Sequence, residues 1–383
     1  MLYFDNNATT AADPEVVAAM LPFLGERFGN PSSAHALGED AADAVRAARA
    51  SVARLLGATA PDEIVFTSGG TESNNLALRA AFAAQSGRRV IVTCATEHSS
   101  VLEPCAQLER SGARVVRAGV SRTGLVDLPA LMSQLTPECA VVSLMLANNE
   151  IGVVQDIAPL GARCRELGIL FHADLVQAAG KLPLSVRALN ADLATISAHK
   201  LHGPKGVGAL YVRAGLACAP LVFGGSQERG RRPGTENVAG IVGFGRAAEL
   251  ARAFAADVDA RARVASLRDE FENGLLARIP GASVNGARDR RVANTTSIRF
   301  AGLDAETLLM SFSSQGLYAS AGSACHAQAR RPSHVLLALG LAETEAAECV
   351  RFSLSRHTTS ADCRAALEIV AAAAAELRVP GGL

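Results

Sequence analysis

Lys200 and Asp174 each close an apolar run. Lys200 ends Ser197-Ala-His-Lys200 after Leu193-Ala-Thr-Ile196, and Asp174 ends Phe171-His-Ala-Asp174. An amine at one strand end, a carboxylate at an earlier one, and hydroxyl and imidazole donors at Ser197 and His199 suit one cofactor well. Pyridoxal phosphate needs an amine for its aldehyde, an acid for its ring nitrogen and donors for its phosphate. A lone Lys after a strand is usually an exposed surface residue, so the weight rests on the whole set.

Other residues extend the set. Thr67-Ser-Gly-Gly70-Thr71 joins an expected strand to a helix. Its glycines let backbone approach a ligand, and the new helix offers free N–H groups to a phosphate. An anionic Asp174 would keep a pyridine nitrogen protonated, although Asp is also a common helix N-cap. Gln177 could hydrogen-bond the ring's phenolic oxygen. His98, in Thr96-Glu-His-Ser-Ser100, could stack on the ring and move protons. Arg351, flanked by apolar residues in Val350-Arg-Phe-Ser-Leu354, is a natural bidentate clamp for a carboxylate. Cys325 closes Tyr318-Ala-Ser-Ala-Gly-Ser-Ala-Cys325, a small-residue segment that predicts an exposed loop. A thiol there reads as a nucleophile that travels to its target, with His326 beside it to lower its pKa. His172 reads as a structural strand residue, and His35, His202, His334 and His357 receive no role.

The elements that must position these groups alternate. Strands are expected at 64–66, 89–92, 140–145, 169–171, 193–196 and 206–212. Helices are expected at 38–56, 72–84, 101–110 and 159–167, with Asp13-Pro14 opening an earlier one. This order predicts an α/β fold, a mainly parallel sheet with helices on both faces, whose ligand sits at the carboxyl ends of the strands. After about residue 255 the pattern changes to a long amphipathic helix, short strands and two further helices. We expect a large domain over residues 13–256. A smaller α+β domain combines 1–12 with 257–383 and carries the Cys325 loop at about 318–332.

Composition excludes several classes. The chain has 383 residues, 49% hydrophobic, enough for a sizeable core. Lys+Arg and Asp+Glu are both 37, and Trp is absent. Neither nucleic acid nor an anionic membrane is therefore an expected partner. No apolar run is long enough to span a bilayer, and the N-terminus does not read as a signal peptide, so a cytoplasmic location is expected. The eight Cys form no C-x-x-C pair, which supports neither a disulfide framework nor a metal site. A non-catalytic scaffold or metal-binding protein using dispersed Cys and His is the rival from another class. The intact Lys200, Asp174 and Cys325 set counts against it.

The ordered motifs resemble a known family. They run from Tyr3-Phe-Asp-Asn-Asn-Ala-Thr-Thr10 through Phe28-Gly-Asn-Pro-Ser-Ser-Ala-His35, Ala147-Asn-Asn-Glu150 and Ser197-Ala-His-Lys-Leu-His-Gly-Pro-Lys-Gly-Val-Gly208. They continue with Gly224-Gly-Ser-Gln-Glu-Arg-Gly-Arg-Arg-Pro-Gly-Thr-Glu-Asn237 and Arg351-Phe-Ser-Leu-Ser-Arg-His-Thr-Thr359. The chain is similar to cysteine desulfurases of the NifS/IscS group, in the class V aminotransferase superfamily, and looks closest to the nitrogen-fixation type. The resemblance implies the fold type I of pyridoxal-phosphate-dependent transferases and removal of sulfur from L-cysteine to give L-alanine. Lys200 would hold the cofactor covalently, and Gly70, Thr71, Ser197 and His199 would bind its phosphate. Asn149 and Arg351 would take the substrate carboxylate. Thr235 would reach the site of a second copy in a homodimer. Cys325 would carry a persulfide to a sulfur acceptor or an iron–sulfur scaffold protein, where it could transiently contact a nascent cluster. The family usually follows this Cys with Ser or Thr, whereas Cys325-His326 is similar to selenocysteine lyases, the near alternative.

Overall fold

The computed structural model describes residues 1–321 and 332–378. The described residues contain twelve strands, labelled in chain order. They are β1 (Leu2–Tyr3), β2 (Ile64–Thr67), β3 (Val90–Cys94), β4 (Arg114–Ala118), β5 (Cys139–Ser143) and β6 (Leu170–Asp174). Then come β7 (Leu193–Ser197), β8 (Gly208–Val212), β9 (Ala282–Val284), β10 (Thr295–Phe300), β11 (Leu317–Tyr318) and β12 (Cys349–Ser353).

Seven strands form one sheet in the order β2-β8-β7-β6-β5-β3-β4. Strand β8 runs antiparallel to both of its neighbours, β2 and β7, and the other pairings are parallel. The sheet is thus mainly parallel, as expected, with one reversed strand. Strands β2, β3, β5, β6, β7 and β8 are buried throughout. That is why they read as near-continuous apolar runs: helices cover both faces.

Local chemistry sets the helix ends. Asp13 accepts the Glu15 N–H ahead of Pro14 and caps helix Pro14–Met20. Helix Ala36–Leu56 stops at Gly57, whose φ of 62° is the left-handed conformation that glycine takes without strain. Helix Gly70–Ala84 follows β2 directly, and helix Ser99–Arg110 follows β3. Each therefore starts at the carboxyl end of a strand.

Beyond the large sheet, β12-β10-β9 form a three-stranded antiparallel sheet. Helices Val258–Arg278 and Ser360–Glu376 pack with each other beside it. Phe4, Phe271, Phe300, Phe312 and Phe352 fill its core, with Phe271 and Phe352 edge-on at 5.1 Å. Truncating one such ring to Ala typically costs about 3–5 kcal/mol. The N-terminal segment joins this core. Strand β1 pairs in parallel with β11, Asp5 bridges to Ser353, and Phe4 is buried among the aromatic rings. From there the chain passes over the end of the large sheet.

Candidate active site

A cavity of about 280 Å³ lies at the carboxyl ends of the central strands. Gly70, Thr71, His98, Asn149, Asp174, Gln177, Ser197, His199, Lys200 and Arg351 all line it. Several elements bring them together. The helix starts after β2 and β3 supply Gly70, Thr71 and His98, the ends of β6 and β7 supply Asp174 and Ser197, and β12 supplies Arg351.

One end of the cavity is built for an anion. Helix Gly70–Ala84 opens without a side-chain cap, so its first N–H groups face outward. Close approach of β8 seats this turn. A Cβ on Gly208 would lie 2.6 Å from the Gly69 backbone carbonyl carbon. Opposite, Ser197 Oγ is buried and has no hydrogen-bond partner among the described residues. A buried hydroxyl without a partner is costly unless a ligand supplies one. His199 Nδ1 lies 3.1 Å from Thr9 Oγ1. Burial first, then the positive Lys200 and Lys205, push its pKa down to about 4, so the ring is neutral at physiological pH.

A relay of polar side chains runs beneath the cavity. Asp174 Oδ1 accepts the Val176 N–H at 2.9 Å, and Oδ2 accepts Asn74 Nδ2 at 2.8 Å. Asn74 Nδ2 also donates to Ser100 Oγ at 2.8 Å. Ser100 Oγ lies 2.7 Å from His98 Nδ1, which also accepts the Ser100 backbone N–H at 3.1 Å. Since Nδ1 accepts a backbone proton it carries none itself, so the neutral ring holds its proton on Nε2. The capping position of His98, first residue before helix Ser99–Arg110, fixes this tautomer.

Lys200 Nζ donates to the backbone carbonyls of Asn7 and Ala8 at 2.5 and 2.7 Å. Asn7 is buried, and its groups meet partners on several elements. Its N–H donates to Ser353 Oγ, and its Nδ2 donates to Thr295 Oγ1 and the Asn149 carbonyl. Its Oδ1 accepts from Lys181 at 2.9 Å and Asn294 at 3.1 Å. Gln177 donates Nε2 to the Asn7 carbonyl at 3.0 Å and accepts Lys181 Nζ on Oε1 at 2.5 Å. Burial, with Lys200 and Arg351 nearby, pushes the Lys181 amine well below the ordinary lysine range.

Arg351 is buried and pairs with Asp5 Oδ1 at 2.6 Å while donating to the Asn149 carbonyl at 3.1 Å. A position expected to clamp a ligand carboxylate also ties the N-terminal segment to β12. The chain on either side of residues 322–331 is fixed at the cavity rim. Ser320 exchanges backbone hydrogen bonds with Arg351. Ser333 donates to buried Glu150 at 2.5 Å, and His334 Nε2 lies 2.9 Å from the Glu97 carbonyl. His334, given no role from sequence, lines the cavity. Cys325 and His326 lie outside the described residues.

The other thiols are all buried. Burial pushes Cys94, Cys218 and Cys349 up to about 11 and Cys105, Cys164 and Cys363 up to about 12. They are poor thiolates. His172 is fully buried between Ser143 and Thr195, and burial lowers its pKa to about 4, in keeping with its structural assignment. Thr235 is exposed and does not line this cavity. Sequence reasoning missed Asn7, Asn74, Ser100 and Lys181. Asn7 lies in a motif that had been quoted, Asp5-Asn-Asn7, but nothing local shows what it touches.

The class-V aminotransferase family matches residues 2–365. "Cysteine desulfurase 2" of Trichormus variabilis is 49% identical over 97% of this chain and 92% of its own length. A cysteine desulfurase of Gluconacetobacter diazotrophicus is 47% identical over 98% and 94%. Among solved structures, a NifS-like protein superposes with a TM-score of 0.90 at 37% identity, covering 97% of this chain and 98% of that one. SspA in complex with cysteine superposes with a TM-score of 0.82 at 35% identity, covering 94% and all of that chain. With a match along nearly its whole length, the chain belongs to the class-V aminotransferase family, among its cysteine desulfurases and NifS-like proteins.

Proposed function

We propose that the protein is a pyridoxal-phosphate-dependent cysteine desulfurase, converting L-cysteine and an enzyme thiol to L-alanine and an enzyme persulfide. The observation that carries this is the single cavity holding Lys200, Asp174 and a partnerless buried Ser197 hydroxyl beside an uncapped helix start. This donor set fits the cofactor. Gly70, Thr71, Ser197 and His199 would hold its phosphate, Asp174 its ring nitrogen, Gln177 its phenolic oxygen and Lys200 its aldehyde carbon. When bound, the cofactor supplies a sink for the electron pair left at the substrate Cα.

The chain's own groups do the rest. Arg351 and Asn149 bind the substrate carboxylate. Lys200 moves the Cα proton, held beforehand by the Asn7 and Ala8 carbonyls. His98, with its proton on Nε2, is set to donate at the cavity side. The Cys325 thiolate attacks the substrate sulfur, so an S–S bond forms as the C–S bond breaks, and the carbon fragment leaves as alanine. The anchoring of Ser320 and Ser333 at the rim supports delivery of Cys325 to this cavity. Thr235 acts on the cavity of a second copy in a homodimer, the persulfide passes to a sulfur acceptor or an iron–sulfur scaffold, and the location is cytoplasmic. Among the described residues no helix is long and apolar enough to cross a membrane. The domain division at residues 12 and 256 is part of the same proposal.

The test is alanine formation from L-cysteine and L-selenocysteine by the parent and by Cys325→Ser. The variant should lose activity with L-cysteine and keep its cofactor. Mass spectrometry should find the persulfide on Cys325 and on none of the buried thiols. Parental alanine release from L-cysteine by the variant would refute the mechanism. Exclusive use of L-selenocysteine by the parent would make it a selenocysteine lyase instead.

A further inference from the structure

The Gln177 side chain has two possible orientations, and its neighbours permit one. An amine is a hydrogen-bond donor here, and a backbone carbonyl is an acceptor only. Lys181 Nζ sits 2.5 Å from one end of the Gln177 amide, and the Asn7 carbonyl lies 3.0 Å from the other. The oxygen must therefore face Lys181 and the nitrogen must face Asn7. Rotating the amide would set donor against donor and acceptor against acceptor. Lys181 is itself fixed by its second bond, to Asn7 Oδ1 at 2.9 Å. With Oε1 occupied and one Nε2 hydrogen engaged, Gln177 has one N–H left for the cavity it lines.

We propose that Lys181 is a positioning residue, which locks the Gln177 amide so that an N–H, and not a carbonyl oxygen, faces the cofactor's phenolic oxygen. This rests on the pyridoxal phosphate assignment above. Its consequence is electronic. A donor at that oxygen draws electron density from it and lowers the pH at which the neighbouring Lys200-linked nitrogen gains its proton. An acceptor turned to the same oxygen raises that pH. The sequence Gln177-Ala-Ala-Gly-Lys181 places the amine one turn beyond the glutamine. Among the described residues Lys181 does not line the cavity and reaches it through its bonds to Gln177 and Asn7. The other cations near its amine are Lys200 and Arg351.

The test is a pH titration of the visible absorbance of purified holoenzyme, for the parent, Lys181→Met, Gln177→Leu and the double variant. Lys181→Met should raise the midpoint by about one pH unit, the size of one lost polar interaction. Gln177→Leu should raise it similarly, and adding Lys181→Met to Gln177→Leu should move it no further. If the Met variant does not fold, Lys181→Leu, which also lacks a donor, is titrated against the same expectation. A parental midpoint in the Lys181 variant, or additive shifts in the double variant, would overturn the proposal, the latter showing a direct effect of charge. A parent protein that retains no pyridoxal phosphate would instead sink the functional assignment itself.

Discussion

Replacing Asp174 by Asn separates the electrostatic contribution of this residue from its structural one. Both carboxylate oxygens accept hydrogen bonds, from the Val176 N–H at 2.9 Å and Asn74 Nδ2 at 2.8 Å. Wherever the new amide places its NH₂, a donor meets a donor. Asn74 offers an escape, because its Oδ1 is buried without a partner and a flip would present that oxygen instead. The flip has a cost. Asn74 would then offer Ser100 an acceptor, and the Ser100 hydroxyl would turn its hydrogen away from His98 Nδ1. His98 Nδ1 would still accept the Ser100 backbone N–H. Losing one such bond costs about 1 kcal/mol, and melting should fall by only a few degrees. The catalytic loss should be much larger. An opposite charge at close range shifts a pKa by about 1–3 units. Without the carboxylate, the ring nitrogen at fixed pH is about 10- to 1000-fold less protonated, and turnover should fall about 100-fold. Alanine release, cofactor absorbance and a thermal melt measured on one preparation decide it. Turnover within about twofold of the parent, at parental cofactor content, would reduce Asp174 to a turn-forming residue and refute the reasoning.

Two further outcomes are expected. Mixing Lys200→Ala and Thr235→Val protomers should restore cofactor affinity in the one intact site of the heterodimer; absence of recovery would show that Thr235 serves its own chain. Glu272 is fully buried, and although burial raises its pKa, bonds from Arg291 at 2.5 and 2.9 Å and from Thr296 at 2.5 Å hold it below the ordinary carboxylate range. A lowered folded pKa contributes stability that is full above the unfolded value of about 4.3 and disappears as pH falls through the folded one. Glu272→Gln should therefore cost about 3 kcal/mol at pH 7, with the gap narrowing in acid; a gap constant from pH 7 to 3 in chemical denaturation would contradict this.

Much of the site was legible because several of its groups end recognisable elements. Lys200, Asp174 and the Gly69-Gly70 turn sit where apolar runs stop, and topology then collects strand ends on one edge. The reversed direction of β8 does not show in its composition, since a buried strand reads the same in either direction. Its signal lay in the connection: only residues 197–205 separate the two expected strands, too few for the crossover that a parallel pair needs. Asn7, Asn74, Ser100 and Lys181 were missed for another reason. Each acts through a partner remote in sequence, and an Asn or Ser among small polar residues reads as a turn. His334 was passed over because a His at a helix start after Pro332-Ser333 looks like surface. Only the fold shows that this helix start borders the cavity.

The Asn7 contacts also constrain the order in which the protein can mature. The carbonyls that hold the Lys200 amine belong to residues 7 and 8, and Asn7 is pinned by Ser353, Thr295 and Asn294. The Asn6 side chain reaches the Ser353 carbonyl across 347 positions of chain. A nascent polypeptide that has completed the large sheet at Val212 has made Lys200 and Asp174 but cannot yet hold the beginning of the chain across them. Contacts of such separation form late. Synthesis must pass residue 353 before the lysine cradle closes, so a reactive aldehyde meets a finished lysine cradle only on chains that already carry Ser353.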